Sequence, residues 1–212
     1  EAAEQALQKA GIVKPDFIFL FASIGYDQHS LVRAVRETTG GAPLSGCSAE
    51  GTINGDDADE SNFSVVVTAI SSEQLRWRNG LVTGLSADPR AVGKRVAKDL
   101  LPHLSADTIG LFVFPDGRVD NLYTFFAGLE DNLPSERFLP LWGGGANTSL
   151  SGEGPTYQYC DDEVISDGIS YALLSGEAHA AWAISHTLIP IGGERIVTRS
   201  QGNVIYEIDG KP

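Results

Sequence analysis

Apolar positions in the first part of the chain fall into short continuous runs and one-sided helical patterns. The run DFIFLFAS (Asp16 to Ser23) predicts a strand covered on both faces, because a half-exposed strand would alternate with polar residues. A helix capped by Asp27 and running to about Thr38 follows, with its apolar residues on one side. The remaining patterns predict a helix at Glu1 to Ala10 and strands at PLSGCS, FSVVVTAI and LRWRNGLVT.

A similar order of elements returns after a helix that Asp88 and Pro89 open as cap and first-turn proline. The run TIGLFVFPDG (Thr108 to Gly117) predicts a second apolar strand ending in a turn. A helix is predicted from about Asp120, because Leu122, Phe125, Phe126 and Leu129 are spaced i, i+3, i+4, i+7. FLPLWGGGAN predicts a strand entering a glycine turn, and ISYALLSG and HAAWAISH predict two more strands.

The order strand–helix–strand–glycine turn–strand–strand therefore occurs twice, at about residues 12–84 and 107–187. We predict a pseudo-duplicated α/β fold of mixed α+β type, with two packed mixed sheets and the helices outside. A single mixed sheet with helices on both faces is the alternative. Residues 1–190 would form this domain. Residues 191–212 would form a hairpin, turning at Gln201-Gly202-Asn203, that leads toward a further domain.

Charge and composition narrow the class of protein. The formal net charge of −13 argues against a nucleic-acid surface, which needs clustered lysine and arginine. The sequence has neither an apolar stretch long enough to cross a bilayer nor a signal peptide at its start, so we expect a cytoplasmic protein. Cys47 and Cys160 are far apart, and the four histidines are scattered, which predicts neither a zinc site nor a disulfide framework.

Two turns that follow predicted strands are candidate ligand contacts. Gly143, Gly144 and Gly145, followed by Asn147, would let backbone amides approach a ligand closely. Tight backbone packing between sheets explains these glycines equally well, and their spacing is that of neither a dinucleotide site nor a P-loop. Gly46, Cys47 and Ser48 form the corresponding turn of the first half, where the residues are again small.

Three polar residues near strand ends are further candidates for a ligand pocket. Ser23 ends the first strand of the first half, and Asp116 occupies the comparable position in the second half. Asn121 stands close to the following helix start, and α/β folds bind ligands where strand ends meet helix starts. All three could instead be caps or turn residues.

Catalysis and metal binding have weaker sequence support. Cys47 as a nucleophile would need a base such as His179 or His186, and sequence spacing does not bring either close. Its counterpart Gly144 lacks sulfur, so close backbone approach explains both turns better than a thiol does. His186 could bind haem or another metal, although a lone histidine in an apolar strand is usually a core residue. The acidic loops around Asp56 to Glu60 and Cys160 to Glu163 lack the calcium-loop pattern.

Taken in order, the stretches PDFIFLFAS, LSGCSAEG, FPDG and LWGGGAN resemble the FIST N-terminal domain family of intracellular sensory domains. The final segment, IPIGGERIVTRSQGNVIYEIDGKP, carries the most specific likeness. Its matching positions are Pro190, Gly192, Val197-Thr198, Gly202-Asn203, Ile208-Asp209-Gly210 and Pro212. The resemblance covers nearly the whole chain and ends where a FIST C-terminal domain begins in the family.

The resemblance implies a sensory domain of a bacterial-type signal-transduction protein rather than an enzyme. It implies a small-molecule ligand, for which amino acids are the expected class, and haem-dependent nitric oxide sensing in some members. It also implies two partners, a FIST C-like domain and a signalling output domain or protein. No catalytic residues carry over from the family, so the ligand-binding candidates rest on the turn and strand-end arguments above.

Overall fold

The computed structural model describes residues 1–55, 57–135, 138–149, 152–183, 188–202 and 204–212. Its α-helices are α1 (Ala2–Ala10), α2 (Gln28–Thr38), α3 (Pro89–Leu100) and α4 (Leu122–Glu130). Its strands are β1 (Phe17–Ala22), β2 (Leu44–Ser48), β3 (Thr52–Asn54), β4 (Asp57–Asp59), β5 (Val65–Ile70), β6 (Leu75–Thr83), β7 (Thr108–Pro115), β8 (Leu141–Gly143), β9 (Gln158–Cys160), β10 (Glu163–Ile165), β11 (Gly168–Gly176), β12 (Val197–Gln201) and β13 (Val204–Ile208). A short 3-10 helix, Leu101–His103, follows α3.

The first sheet has the strand order β10-β9-β2-β1-β5. The strands β1 and β2 are parallel and are connected through α2, with Leu20 opposite Gly46. The other pairs of this sheet are antiparallel. The strand β1, which lies between β2 and β5, is almost completely buried, as its continuous apolar run predicts.

The second sheet has the order β6-β11-β7-β8. Here β7 and β8 are parallel and connected through α4, while β11 runs antiparallel to both β6 and β7. The strand β6 lies in the first half of the sequence but completes this second sheet. Conversely, β9 and β10 lie in the second half but belong to the first sheet. The two sheets therefore share strands from both halves of the sequence.

The layers are helix, sheet, sheet, helix. On the outer face of the first sheet, α1 and α2 join a buried cluster that includes Ala3, Val32, Val35, Ile18, Leu20 and Leu44. On the outer face of the second sheet, α3 and α4 join a cluster that includes Val92, Val96, Phe125, Leu129, Leu111 and Ile169. The layer between the sheets is largely aromatic and includes Phe17, Phe19, Phe21, Trp77, Phe112 and Phe114.

Local sequence signals fix the helix starts. The Asp27 carboxylate accepts a hydrogen bond from the Ser30 amide at 2.8 Å, and Asp88 accepts one from the Ala91 amide at 2.9 Å. The helices α3 and α4 pack closely because Gly93 stands at their contact, where a Cβ would lie 2.2 Å from the Phe125 carbonyl oxygen. The Asp27 cap begins α2 over the first sheet, whereas the Asp88 cap and the Gly93 contact belong to the helix pair over the second sheet.

The structure confirms the predicted fold class, a mixed α/β arrangement of packed mixed sheets with the helices outside. The single-sheet alternative is not the arrangement found. The pseudo-duplication stays a prediction, because the sheets exchange strands between the halves. The predicted strand HAAWAISH is wrong over residues 179–183, which have no regular secondary structure, and its end with His186 lies outside the described residues. The predicted hairpin is present as β12 and β13, with Asn203 outside the described residues.

The buried part of the chain ends at Gly176. Beyond it, the described residues are almost all exposed, and β12 and β13 pair only with each other. Large apolar side chains of this segment face solvent, among them Trp182, Leu188, Ile189, Ile191 and Ile196. No helix in the described part of the chain is both long and apolar enough to cross a membrane.

Candidate functional site

The end of β2 approaches β1 so closely that only glycine fits at position 46. Gly46 has a φ of +156°, and a Cβ there would lie 1.9 Å from the Leu20 carbonyl oxygen. Two residues later the chain leaves the strand, and the Ala49 amide donates to the Ala22 carbonyl at 2.9 Å. The glycine in this turn is thus required by the backbone geometry.

The end of β8 approaches β7 in the same way. Gly143 has a φ of +139°, and a Cβ there would lie 1.9 Å from the Val113 carbonyl oxygen. The Ala146 amide then donates to the Pro115 carbonyl at 2.7 Å. The sequence-based alignment of Gly46 with Gly143 therefore agrees with the local backbone of both turns.

A cavity of about 380 Å³ lies between the two sheets and is lined by both turns. It opens on the side of the sandwich where β5 and β8 are the edge strands. Of the two phenylalanines of β7, Phe112 is half-buried and Phe114 is buried. The lining consists of Phe19, Phe21, Cys47, Ser48, Ala49, Thr68, Phe112, Phe114, Gly143, Gly144 and Gly145.

The aromatic rings of the lining meet across the two sheets. The Phe19 ring centroid lies 4.9 Å from that of Phe112 and 5.9 Å from that of Phe114. Phe21 and Phe114 are edge to face at 5.3 Å. A ligand in this cavity would touch side chains of both sheets at once.

Few polar groups face the cavity, and one of them, the Ser48 hydroxyl, already has two partners. The Ser48 hydroxyl donates to the Asn147 carbonyl at 2.6 Å and accepts from the Tyr157 amide at 2.9 Å. Gly145 is exposed, and its amide donates no backbone hydrogen bond within the described residues. The exposed Thr68 hydroxyl completes the polar part of the lining.

The structure brings together five of the ten sequence-based candidates, since Cys47, Ser48 and Gly143–Gly145 all line the cavity. Gly46 lies within the same turn but is not among the lining residues. Its positive φ belongs to the close contact between β2 and β1. Asn147 is exposed beside the turn, where its side-chain amide donates to the Glu50 carboxylate at 3.2 Å.

The other three candidates lie elsewhere. Ser23 is buried, and its hydroxyl accepts from the Ser64 amide at 2.9 Å. Asp116 is buried and accepts from the Arg118 amide at 2.9 Å, whereas Asn121 is exposed at the start of α4. Asp116 and Asn121 line a separate surface depression together with Arg118 and Asp167.

The phenylalanines, Ala49 and Thr68 are the lining residues that the sequence did not single out. Their signal is an aromatic residue at every second position, at Phe19 and Phe21 in β1 and at Phe112 and Phe114 in β7. Residues two apart in a strand point to the same face, so the two phenylalanines of each strand necessarily lie on one side of its sheet. An apolar run alone does not tell a cavity wall from a filled core.

Cys47 has the environment of a core residue. Burial raises the pKa of its thiol to about 12, so the thiolate needed for nucleophilic attack does not form near neutral pH. The described histidines His29, His103 and His179 are exposed and do not line the cavity. His186, the other base considered, lies outside the described residues.

The lining does not fit a haem or another metal. A haem iron needs an axial ligand from the protein, and the only soft donor in the described lining is the protonated Cys47 thiol. The described residues also contain no group of three or more His, Cys, Asp or Glu side chains placed to hold a metal ion.

Uncharacterised proteins of other organisms are similar in sequence to this chain. An uncharacterised protein of Methanocaldococcus jannaschii is 28% identical over 184 residues, which cover 80% of this chain and 33% of that protein. An uncharacterised protein of Mycobacterium tuberculosis is 28% identical over 223 residues, which cover 100% of this chain and 53% of that protein. The chain thus spans about a third to a half of the length of these relatives.

A family model matches most of the chain. Residues 16–211 match the FIST N domain, from the start of β1 to the end of the exposed hairpin. FIST domains are sensory domains associated with signal transduction. With nearly all of its residues inside the match, the chain belongs to the FIST N domain family.

Proposed function

We propose that this chain is the ligand-binding part of a cytoplasmic signal-transduction protein, and that a small molecule binds in the cavity between its two sheets. The observation that carries the proposal is the convergence of both glycine turns, Cys47–Ser48 and Gly143–Gly145, on one cavity. Ligand sites in α/β folds form at the carboxyl ends of parallel strands, and both parallel pairs of this fold end there.

A sensor must also change the balance between two states of the protein when its ligand binds. A molecule in this cavity would contact Phe19 and Phe21 of the first sheet and Phe112 and Phe114 of the second. Its binding energy would therefore depend on how the two sheets are placed relative to each other. Small shifts of one packed layer against the other are a known form of such a switch.

The exposed end of the chain is the proposed route to the output. The hairpin β12–β13 presents Val197, Ile205 and Ile208 to solvent, and a solvent-exposed apolar surface of this kind is typical of an interaction site. We assign its partner to a FIST C-like domain, followed by a signalling output domain or protein. Replacing Ile205 and Ile208 by serine would then weaken that contact while leaving the buried sandwich intact, as amide hydrogen exchange of the hairpin and of β1 would show.

Ligand binding is tested by a metabolite screen that compares two matched variants. The screen begins with amino acids, the class expected from the sequence, and reads thermal stabilisation of the protein. Gly144→Leu would fill the cavity, because a Cβ at Gly144 meets no atom within 4 Å and the residue lines the cavity. Gly193→Leu is the control, since Gly193 is equally open but lies in the exposed segment.

A compound that stabilises the original protein and Gly193→Leu, but not Gly144→Leu, supports the proposal. If every stabilising compound acts equally on both variants, the cavity is not the ligand site and the proposal fails.

A further inference from the structure

The cavity is unusual for a metabolite site because none of the eleven described residues that line it carries a charge at neutral pH. Four of them are phenylalanines, and three are glycines that contribute only backbone. Burial keeps the thiol of Cys47 neutral by raising its pKa. The walls can therefore offer aromatic contact and a few neutral hydrogen-bonding groups, but no ion pair.

The absence of a counter-charge in this lining selects against ionised ligands. A carboxylate or ammonium group that leaves water without a partner of opposite charge loses several kcal/mol of hydration that nothing replaces. An anion would in addition meet a protein whose formal net charge is −13. A free amino acid carries both kinds of charge, and this lining would neutralise neither.

The arrangement of the rings favours an aromatic occupant. The Phe19 and Phe114 planes are inclined at 76°, the Phe21 and Phe114 planes at 72°, and the Phe19 and Phe112 planes at 55°. Rings held at these angles present both edges and faces, and aromatic pairs prefer edge-to-face and offset contacts. The volume of about 380 Å³ lies near the lower end of ligand pockets, which suits one or two rings.

A single polar group of the ligand has a place at the mouth of the cavity. The Gly145 amide lies where the Ser48 amide lies in the other turn, and Ser48 donates to the Tyr157 carbonyl at 2.8 Å. Among the described strands none flanks β8 on that side, so the Gly145 amide lies at the open edge of the sheet. It is placed to donate to a neutral acceptor, with the Thr68 hydroxyl as a second polar group in the lining.

We propose that the inter-sheet cavity binds an uncharged aromatic or heteroaromatic molecule of one or two rings. This inference rests on the proposed function, because it names the ligand class of the same cavity. The rings pack among the four phenylalanines, and a neutral polar group of the ligand either accepts from the Gly145 amide or, like the N–H of indole, donates to the Thr68 hydroxyl.

The test uses one ring system in four charge states. Indole is neutral, indole-3-acetate is an anion, tryptamine is a cation and tryptophan is a zwitterion. Titration calorimetry should show that indole binds at least tenfold more tightly than tryptophan or indole-3-acetate, with tryptamine between them because of the negative protein. Tryptophan or indole-3-acetate binding as tightly as indole would overturn the inference.

The two leucine variants localise the binding. Gly144→Leu should abolish the indole signal, and Gly193→Leu should retain it. Indole that binds Gly144→Leu unchanged sits elsewhere, and the inference fails. If indole does not bind but a charged metabolite binds in a manner that Gly144→Leu abolishes, the ligand class is wrong and the proposed function stands. If no compound is sensitive to Gly144→Leu, both fail.

Discussion

The two glycine turns have the same backbone geometry but differ in what covers them. At Gly46–Ser48, β9 lies alongside, and both the amide and the hydroxyl of Ser48 bond to the backbone of Tyr157. At Gly143–Gly145, β8 is the edge of its sheet, and all three glycines are exposed. Close approach of two strands therefore explains the first glycine of each turn. The covering strand decides whether the rest of the turn is open to a ligand.

The largest expected effect comes from adding one methyl group to the covered turn. Gly46→Ala should lower the free energy of unfolding by about 3–5 kcal/mol, because overpacking and a strained φ each cost about 1–3 kcal/mol. Gly143→Ala has the same contact at 1.9 Å but lies in a short edge strand that can shift, so about 1–3 kcal/mol is expected. Urea unfolding measures both, and equal losses would contradict the distinction between covered and open turns.

Thiol reactivity should separate the turns by about two orders of magnitude. Cys47 is buried with its pKa raised to about 12, whereas a thiol introduced by Gly144→Cys would stand at an exposed position. In a Cys47→Ala background, that thiol should react with iodoacetamide about 100-fold faster than Cys47 does in the original protein at pH 7.5. Burial raises the pKa of Cys160 as well, so it adds little background. Similar rates would show that the covered turn opens readily.

The stabilising effect of the Ser48–Tyr157 contacts that cover the first turn is measured by removing one hydroxyl. Ser48→Ala leaves the Tyr157 amide without the hydroxyl it donates to, which should cost about 1–3 kcal/mol of stability. Ser86→Ala, at an exposed serine, should change stability by less than about 0.5 kcal/mol. Thermal unfolding of the two variants measures these losses of stability. A loss in Ser48→Ala no larger than that in Ser86→Ala would contradict a stabilising role for the hydroxyl contact.

The smallest expected effect is a pH dependence of stability. The folded pKa of Cys47, about 12, is above the ordinary value of about 8.5, so the folded state keeps a proton that the unfolded state releases. Stability from this group is complete below about pH 8.5 and falls as the pH rises toward 12. Between pH 9 and pH 10 the loss should be about 1 kcal/mol larger in the original protein than in Cys47→Ala. Equal slopes of unfolding free energy against pH would contradict a buried neutral thiol.

Much of the secondary structure could be predicted from local patterns, whereas the strand pairing could not. Residues close together in the sequence are enough to recognise the apolar runs at β1 and β7 and the caps Asp27 and Asp88. In contrast, β6 pairs with β11 across a long sequence separation, and no local signal names its partner. The exchange of strands between the two sheets was missed for this reason.

The candidate site, like the fold, was predicted from the sequence only in part. Small residues after a strand predict a close backbone approach, and Cys47, Ser48 and Gly143–Gly145 do meet at one cavity. The aromatic wall was not anticipated, because a phenylalanine in an apolar strand has the same pattern whether it faces a filled core or an open space. Ser23 shows the opposite case, since its strand-end position indicated a pocket while its hydroxyl is engaged by Ser64.

The strand exchange between the sheets also bears on how the protein is made. A nascent chain that has emerged only to about Leu100 contains β6 without β11 and β2 without β9. Neither sheet can be completed until the chain has been synthesised through Gly176. Cleaving the chain between residues 84 and 107 would accordingly give two complementing fragments, each holding strands that belong to the other's sheet, and their association would be part of folding itself.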